Sequence, residues 1–137
     1  MAGKALRISI FMLLIVLLCA CARDGTREKK VSDLDFTVVN PEDIQEELMS
    51  HIEERKAEAF TLIYKDGENM FLAAGYGRQS GGGYSIKVNE LYLGETSIYV
   101  STSLEGPGAG EKTDQTQSYP YIVLKIEMID RPVIFDM

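Results

Sequence analysis

The chain has very few of the residues that usually build hydrolytic or metal sites. Its 137 residues include one histidine, His51, and two cysteines, Cys19 and Cys21. A hydrolytic triad needs a base with a pKa near neutral, normally a histidine, and zinc sites need several cysteine or histidine ligands. His51 lies among charged residues, and no Gly-x-Ser-x-Gly motif occurs in the chain. We therefore expect a protein that is not an enzyme and holds no metal ion or cofactor.

Positive charge is also scarce. Lysine and arginine total 14 against 21 aspartates and glutamates, which gives a formal net charge of −7 at pH 7. Nucleic-acid binding and electrostatic attachment to an anionic bilayer both depend on an excess of basic side chains. The composition therefore argues against a nucleic-acid partner and against a membrane contact made by charge alone.

Phosphate-binding motifs are missing as well. The glycine-rich stretch Gly75–Tyr84 lacks the third glycine of the dinucleotide fingerprint, and no Gly-Lys-Ser/Thr follows it. The next segment has the pattern of a strand, so no helix N-terminus offers its amide groups to a phosphate. We interpret these glycines as residues that allow positive φ angles and close approach of strands.

The first 21 residues have the pattern of a bacterial lipoprotein signal peptide. Lys4 and Arg7 precede residues 8–18, which are apolar except for one serine, and Leu18-Cys19-Ala20-Cys21 follows. The apolar run is too short to span about 30 Å of hydrocarbon as a helix. The tetrapeptide has leucine at −3 and alanine at −1 from its last cysteine, and so resembles the lipobox that bacteria lipidate and cleave.

We therefore expect residues 1–20 to be a signal peptide and Cys21 to carry lipid. This would anchor the protein in the cell membrane on the extracytoplasmic face, where two or more acyl chains hold a protein stably. The alternative is a plain secretory signal peptide followed by an incidental cysteine. With Cys19 removed and Cys21 lipidated, the mature chain has no free thiol or disulfide, and packing alone must stabilise it.

The mature chain is expected to consist of a tether and one domain. Residues 21–35 are polar and charged and lack an apolar period, which is typical of a lipidated tether that sets distance from the membrane. Residues 36–137 have the size of a single domain. Neither part shows an internal repeat.

One helix is predicted near the start of the domain. Asn40-Pro41 supplies a capping residue and a proline suited to the first helical position. Ile44, Leu48 and Ile52 then recur every four residues within a charged segment that ends near Lys56. A single apolar stripe of this kind predicts an amphipathic helix that lies on a sheet.

Strand patterns account for most of the remaining chain. Asp66-Gly67 between two apolar runs predicts a hairpin, and a slip of the apolar phase predicts a bulge near Asn89-Glu90. The predicted fold is mainly β (α+β), an antiparallel β-sandwich or partly closed barrel of six to seven strands with one N-terminal amphipathic helix. The predicted strands are Phe36–Val39, Phe60–Tyr64, Met70–Ala74, Tyr84–Leu93, Ile98–Leu104, Tyr121–Met128 and Pro132–Phe135.

Two connections are candidates for a binding surface. The glycine-rich loop 75–84 would present Arg78 outward on a rigid turn, and loop 105–118 is 14 residues long without an apolar pattern. Tyrosines occur in or beside the predicted strands and loops, and tyrosine is favoured at protein interfaces. A binding surface is therefore a better expectation than a catalytic one.

Three motifs in these connections resemble the PrcB C-terminal domain family. They are Gly75–Ile86, Gly106-Pro107 and Ser118–Tyr121, and the resemblance extends over about residues 70–136. It implies a non-catalytic accessory or stabilising subunit of a cell-surface protease complex, with an extracellular protein partner such as a subtilisin-like protease. The candidate partner-binding residues are Arg78, Gln79, Ser80, Gly81, Gly82, Gly83, Tyr84, Gly106, Pro107, Tyr119, Pro120 and Tyr121.

A weaker resemblance points to a different function. Gly82-Gly83-Tyr84, Gly108-Ala109-Gly110 and Arg131-Pro132 occur in the same order as the three loop motifs of chagasin-type peptidase inhibitors. The chain departs from that pattern at Glu111 and Val133, where the inhibitors have a glycine and an aromatic residue. The alternative function is therefore a chagasin-like peptidase inhibitor that uses loops 75–84 and 105–118.

Overall fold

The computed structural model describes residues 28–110 and 116–137. The predicted signal peptide, Cys21, the first part of the predicted tether and residues 111–115 of the long loop lie outside the described residues. Within the described ranges, no helix is both long and apolar enough to cross a membrane.

Eight strands and one α-helix form the regular structure of the described residues. A 3₁₀ turn at Pro41–Asp43 precedes the helix α1, which spans Glu46–Arg55. The strands are β1 (Lys30–Asp33), β2 (Thr37–Val38), β3 (Ala59–Lys65), β4 (Asn69–Tyr76), β5 (Ser85–Gly94), β6 (Ile98–Glu105), β7 (Tyr121–Glu127) and β8 (Val133–Asp136).

The strands form two four-stranded sheets. The first sheet has the order β1-β5-β6-β8 and the second has the order β2-β7-β4-β3. In the described part of the chain neither sheet closes into a barrel, so the predicted mainly β sandwich is confirmed. Not every neighbour is antiparallel, since β8 pairs with β6 in parallel.

Apolar side chains from both sheets pack between them and form the main core. This follows from the alternation of the strands, because every second residue of a strand points to the same face. A smaller set of partly buried apolar residues packs around this core. The buried members are Met70, Leu72, Leu91, Ile98, Val100, Leu124 and Ile126.

Helix α1 forms a third layer on the outer face of the second sheet. Leu48 and Ile52 are buried there against Phe71, Ala73 and Val123. These contacts confirm the predicted apolar stripe and place the helix on a sheet, as amphipathic helices require.

The helix begins later than the sequence predicts. Asn40 precedes the 3₁₀ turn and makes no side-chain capping bond, and the residue before α1 is Gln45. Ile44 lies between the turn and the helix in an extended conformation, with φ −73° and ψ 131°. Ile44 also packs against the buried layer under α1, which explains why the chain stays extended there.

One strand was not expected from the sequence. Lys30–Asp33, which the sequence places in the tether, forms β1 and pairs with the free edge of β5. All four of its residues are exposed, so no apolar alternation marks it. The predicted bulge is confirmed, since the β5–β6 register shifts between Val88 and Glu90.

Candidate functional site

The two glycine-containing connections lie at the same end of the sandwich. One leads from β4 to β5 and the other from β6 to β7, so each crosses between the sheets. The strand pairs Ser85–Glu105 and Gly75–Tyr121 mark this end in the two sheets. Hereafter the glycine end means residues 77–84, 106–110 and 116–120.

The two connections are hydrogen-bonded to each other. The Gln79 N–H donates to the Ser118 carbonyl at 2.8 Å, and the Ser118 N–H donates back to the Gln79 carbonyl at 3.1 Å. The Ser118 hydroxyl also donates to the Gly81 carbonyl at 2.6 Å. These three bonds join loops that are about forty residues apart in the sequence and fix them as one surface.

The two loops are also in van der Waals contact with each other. Gly83 has a φ angle of +84°, and a Cβ at this position would lie 3.0 Å from Cβ of Pro107. Tyr84 contacts the other loop at Gly106, where a Cβ would lie 3.6 Å from the tyrosine ring. A glycine is therefore required at 83 both by the backbone angle and by the neighbouring proline.

Tyr76 lies beneath the glycine end and is hydrogen-bonded to residues on three sides. Its N–H donates to the Pro120 carbonyl at 3.0 Å, and its carbonyl accepts from the Gln79 side-chain amide at 3.2 Å. The Tyr76 hydroxyl lies 2.7 Å from the hydroxyl of Thr102 in the other sheet. Tyr76 thus connects both sheets with both loops.

Helix α1 reaches the glycine end through its C-terminus. The Lys56 ammonium lies 5.3 Å from the centre of the Tyr119 ring, within the range of a cation–π contact. Lys56 also forms an ion pair of 2.6 Å with Glu53, and this hydrogen bond raises the pKa of the lysine. Tyr121 extends toward the helix, where its hydroxyl donates to the Met49 sulfur at 3.9 Å. Burial raises the pKa of the Tyr121 hydroxyl.

Arg78 is an exposed residue of the first loop. Its backbone N–H donates to the Ala57 carbonyl at 3.2 Å, which fixes the main chain beside the end of α1. Its side chain is exposed, and no hydrogen bond or ion pair ties it to another described residue. Ser80 is also exposed, whereas Gly81 is buried. The structure therefore presents Arg78 and Ser80 to solvent on a fixed loop.

All twelve sequence-predicted binding residues lie at or directly beside the glycine end. The sequence did not predict that Lys56 and Ala57 contact the glycine end. These residues contact Tyr119 and Arg78 only because α1 packs on the sheet. An open groove of about 460 Å³ borders the same region and continues the surface along the start of β3. It is lined by Glu54, Arg55, Ala57, Glu58, Ala59 and Phe60.

The third motif of the chagasin-type resemblance lies at the other end of the sandwich. Arg131-Pro132 belongs to the connection from β7 to β8, where the Pro132 carbonyl accepts from the Ile98 N–H at 2.8 Å. The Arg131 guanidinium donates to the Glu95 carbonyl at 2.7 Å. The three motifs therefore do not form one surface, although the described residues of loops 75–84 and 105–118 do.

Metal-ligating side chains do not cluster in residues 28–110 and 116–137. No group of three or more His, Cys, Asp or Glu residues is placed there so as to hold a metal ion. The absence of enzymatic activity stays a prediction from the sequence.

Comparison with known families bears on this end of the molecule. Residues 70–127 match the family model described as PrcB C-terminal. The match begins in β4 and ends with β7, so it includes both connections and all twelve candidate residues. No curated protein and no solved structure matches the chain.

Proposed function

We propose that the chain is a non-catalytic subunit of a protease complex outside the cytoplasm, because residues 70–127 match the PrcB C-terminal family model. Its role is to bind a protein of that complex, and Cys21 anchors it in the membrane through lipid. The anchor is supported by the lipobox-like Leu18-Cys19-Ala20-Cys21.

The observation that carries the binding role is the convergence of the three family motifs on one surface. Motifs that are separated by up to about forty residues meet at the glycine end, and the Gln79–Ser118 hydrogen bonds join them. Loops that are held in this way lose little conformational freedom when a partner binds, which favours affinity. The exposed Arg78 is the side chain of this surface best suited to form a partner contact, because arginine is enriched among residues that dominate binding energy.

A cross-linking experiment tests this proposal. A photoreactive group is introduced at Ser80, on the glycine end, and a matched one at Lys65, which is exposed at the opposite end of the sandwich. We expect the group at Ser80 to capture an extracytoplasmic peptidase, or a subunit of its complex, from the native membrane. Capture should be lost on Arg78→Ala and kept on Lys87→Ala, which removes an exposed base of the first sheet.

The same experiment can contradict the proposal. Equal capture from Ser80 and Lys65 would show that the glycine end is not the binding surface. Reproducible capture of proteins unrelated to any peptidase would remove the assignment to a protease complex.

The inhibitor alternative is supported by one observation, the joining of loops 75–84 and 105–118 at the same end. An inhibitor must enter the active-site cleft of a peptidase and lower its activity. Addition of the purified protein to the captured peptidase separates the two functions. Unchanged or longer-lived activity supports the accessory subunit, whereas stoichiometric loss of activity supports the inhibitor.

A further inference from the structure

The chain enters the domain through a carboxylate clamp at the end opposite to the glycine end. One Glu28 oxygen, Oε2, accepts from the backbone N–H groups of Thr96 at 2.8 Å and Ser97 at 3.2 Å. The other oxygen, Oε1, accepts from the hydroxyls of the same two residues. Both oxygens of Glu28 are thus held by the turn that connects β5 to β6.

Neighbouring residues leave space for the Glu28 side chain and hold the main chain beside it. Gly94 provides the space, because a Cβ there would lie 2.5 Å from the Glu28 carboxylate. The Tyr92 hydroxyl donates to the backbone carbonyl of Glu28 at 3.1 Å. Strand β1 follows directly and pairs with β5 from Lys30 to Asp33. The first described residues are therefore fixed to the first sheet by a side chain, a carbonyl and a strand.

The clamp and the glycine end are separated by the length of the sandwich. Strand β5 starts at Ser85, next to the glycine-rich loop, and ends at Gly94, next to the clamp. Its ten residues extend over about 30 Å at roughly 3.3 Å per residue. By contrast, only residues 22–27 lie between Cys21 and Glu28. These residues and their flanking bonds reach at most about 25 Å.

We infer that the Glu28 clamp holds the membrane-anchored end of the chain opposite to the glycine end, so that the candidate surface faces away from the bilayer and receives a protein partner. This inference rests on the proposed lipid anchor at Cys21. A bilayer-embedded segment or a lipid headgroup is not the ligand of the glycine end. The partner is a protein whose contact surface lies about 30–55 Å above the membrane, from the sum of strand length and tether reach.

The charge of the mature chain supports an upright domain. Without residues 1–20, which contain Lys4 and Arg7, the chain has 12 basic and 21 acidic residues and a formal net charge of −9. A membrane surface that contains phosphatidylglycerol is negatively charged, so it attracts basic segments and repels acidic ones. Repulsion of this kind keeps the domain from lying flat on the lipid.

Energy transfer to the membrane tests the orientation. The full lipoprotein is purified with a single new cysteine, Ser80→Cys at the glycine end or Glu95→Cys beside the clamp, and each is labelled with a donor dye. It is reconstituted in phosphatidylcholine vesicles with a minor fraction of phosphatidylglycerol and acceptor-labelled headgroups. We expect several-fold stronger transfer from position 95 than from position 80. Equal transfer, or stronger transfer from position 80, would overturn the inference.

A pair of variants tests the clamp itself. Glu28→Ala removes all four side-chain hydrogen bonds to the turn and leaves only the Tyr92 hydroxyl and the β1–β5 pairing to hold the chain, so the difference between the two labelled positions should shrink. Glu127→Ala removes an exposed carboxylate at the same end of the second sheet and should leave the difference unchanged. If Glu28→Ala behaves like Glu127→Ala, the clamp does not orient the domain and the inference is wrong.

Failure of the inference can be told apart from failure of the proposed function. If the protein does not float with the vesicles, both the proposed lipid anchor and the inferred orientation are wrong. If the protein shows the expected energy transfer but captures no peptidase in detergent, the proposed binding role is wrong and the inferred orientation still holds.

Discussion

The Tyr76 hydroxyl lies 2.7 Å from the Thr102 hydroxyl, and this hydrogen bond connects the two sheets beneath the glycine end. Thr102 is only 4% exposed, so water cannot replace the tyrosine as its partner. Tyr76→Phe should lower the free energy of unfolding by about 1–2 kcal/mol, since a buried hydroxyl is left without a partner. Urea denaturation measures this loss.

A matched variant and a double mutant check that the hydrogen bond is responsible. Tyr84→Phe removes the hydroxyl of a half-buried tyrosine that bonds to no described residue, and should change stability little. Tyr76→Phe combined with Thr102→Val removes both hydroxyls and should be less destabilising than the sum of the single changes. Strict additivity would show that the two hydroxyls do not interact.

Gly83→Ala should damage the candidate surface as well as stability. The substitution places a side chain at a φ angle of +84° and a Cβ 3.0 Å from Pro107. The backbone term alone should cost roughly 1–2 kcal/mol in the free energy of unfolding. Because the proline must move, the two loops separate and partner capture should fall.

Gly67→Ala is the control for that substitution. Gly67 has a φ angle of +98° and lies at the opposite end, in the β3–β4 turn, where a Cβ would meet no atom within 4 Å. It should lose comparable stability in thermal denaturation and keep full partner capture. Equal loss of capture in both variants would mean that capture reports only stability.

The strands were predictable where one face of a sheet is buried and the other is exposed. The phase slip of the apolar residues located the bulge between Val88 and Glu90, and the spacing of Leu48 and Ile52 located the buried face of the helix. Both are local patterns of period two or about four, and local patterns are visible in a single sequence.

Features that depend on contacts distant in sequence were not predictable. Strand β1 has four exposed residues, and its place beside β5 is defined by pairing with residues about sixty positions later in the chain. The parallel pairing of β8 with β6 has no sequence pattern of its own, because alternation is the same in both directions. The motifs indicated that two connections matter, but only the fold shows that Lys56 contacts one of them at Tyr119.

Ser118→Ala should loosen the connection between the two loops. The Ser118 hydroxyl donates to the Gly81 carbonyl at 2.6 Å, and its loss should cost about 1 kcal/mol. Amide hydrogen exchange at Gln79 should become faster, because its bonds to Ser118 then open more often. Ser80→Ala changes an exposed serine of the same loop without a described partner and should leave the exchange rate unchanged. Equal rates in both variants would contradict the role of the hydroxyl.

Stability should depend on pH through Glu28. Hydrogen bonds from the hydroxyl of Thr96, then from its backbone N–H and from Ser97, lower the pKa of the Glu28 carboxyl below the ordinary value of 4.5. A lowered pKa in the folded state means that the charged form stabilises the fold above pH 4.5, and that this contribution disappears as the pH falls through the lowered value.

Comparison of the wild type with Glu28→Gln measures this dependence. The melting temperature of the wild type minus that of Glu28→Gln should be constant above about pH 4.5, the ordinary pKa of a glutamate. This difference should shrink at lower pH. Glu95→Gln is the matched control, because it makes the same change at a neighbouring exposed glutamate that does not hydrogen-bond the Thr96 or Ser97 amide. A Glu28→Gln difference that stays constant down to the acid transition would show that the carboxylate contributes no charge-dependent stability.

The two cysteines give a direct test of the lipid anchor. Cys21→Ala removes the only residue of the Leu18-Cys19-Ala20-Cys21 motif that can accept lipid in the mature chain, while the domain contains no cysteine to be affected. We expect the variant to fold normally and to leave the membrane fraction or to retain residues 1–20, as mass spectrometry would show. Cys19→Ala alters a cysteine of the expected signal peptide and should yield the same lipidated, membrane-bound product as the wild type. Because the two changes are chemically identical and two residues apart, a difference between them indicates lipidation at Cys21. Equal membrane binding of both variants, with residues 1–20 removed from both, would contradict the anchor.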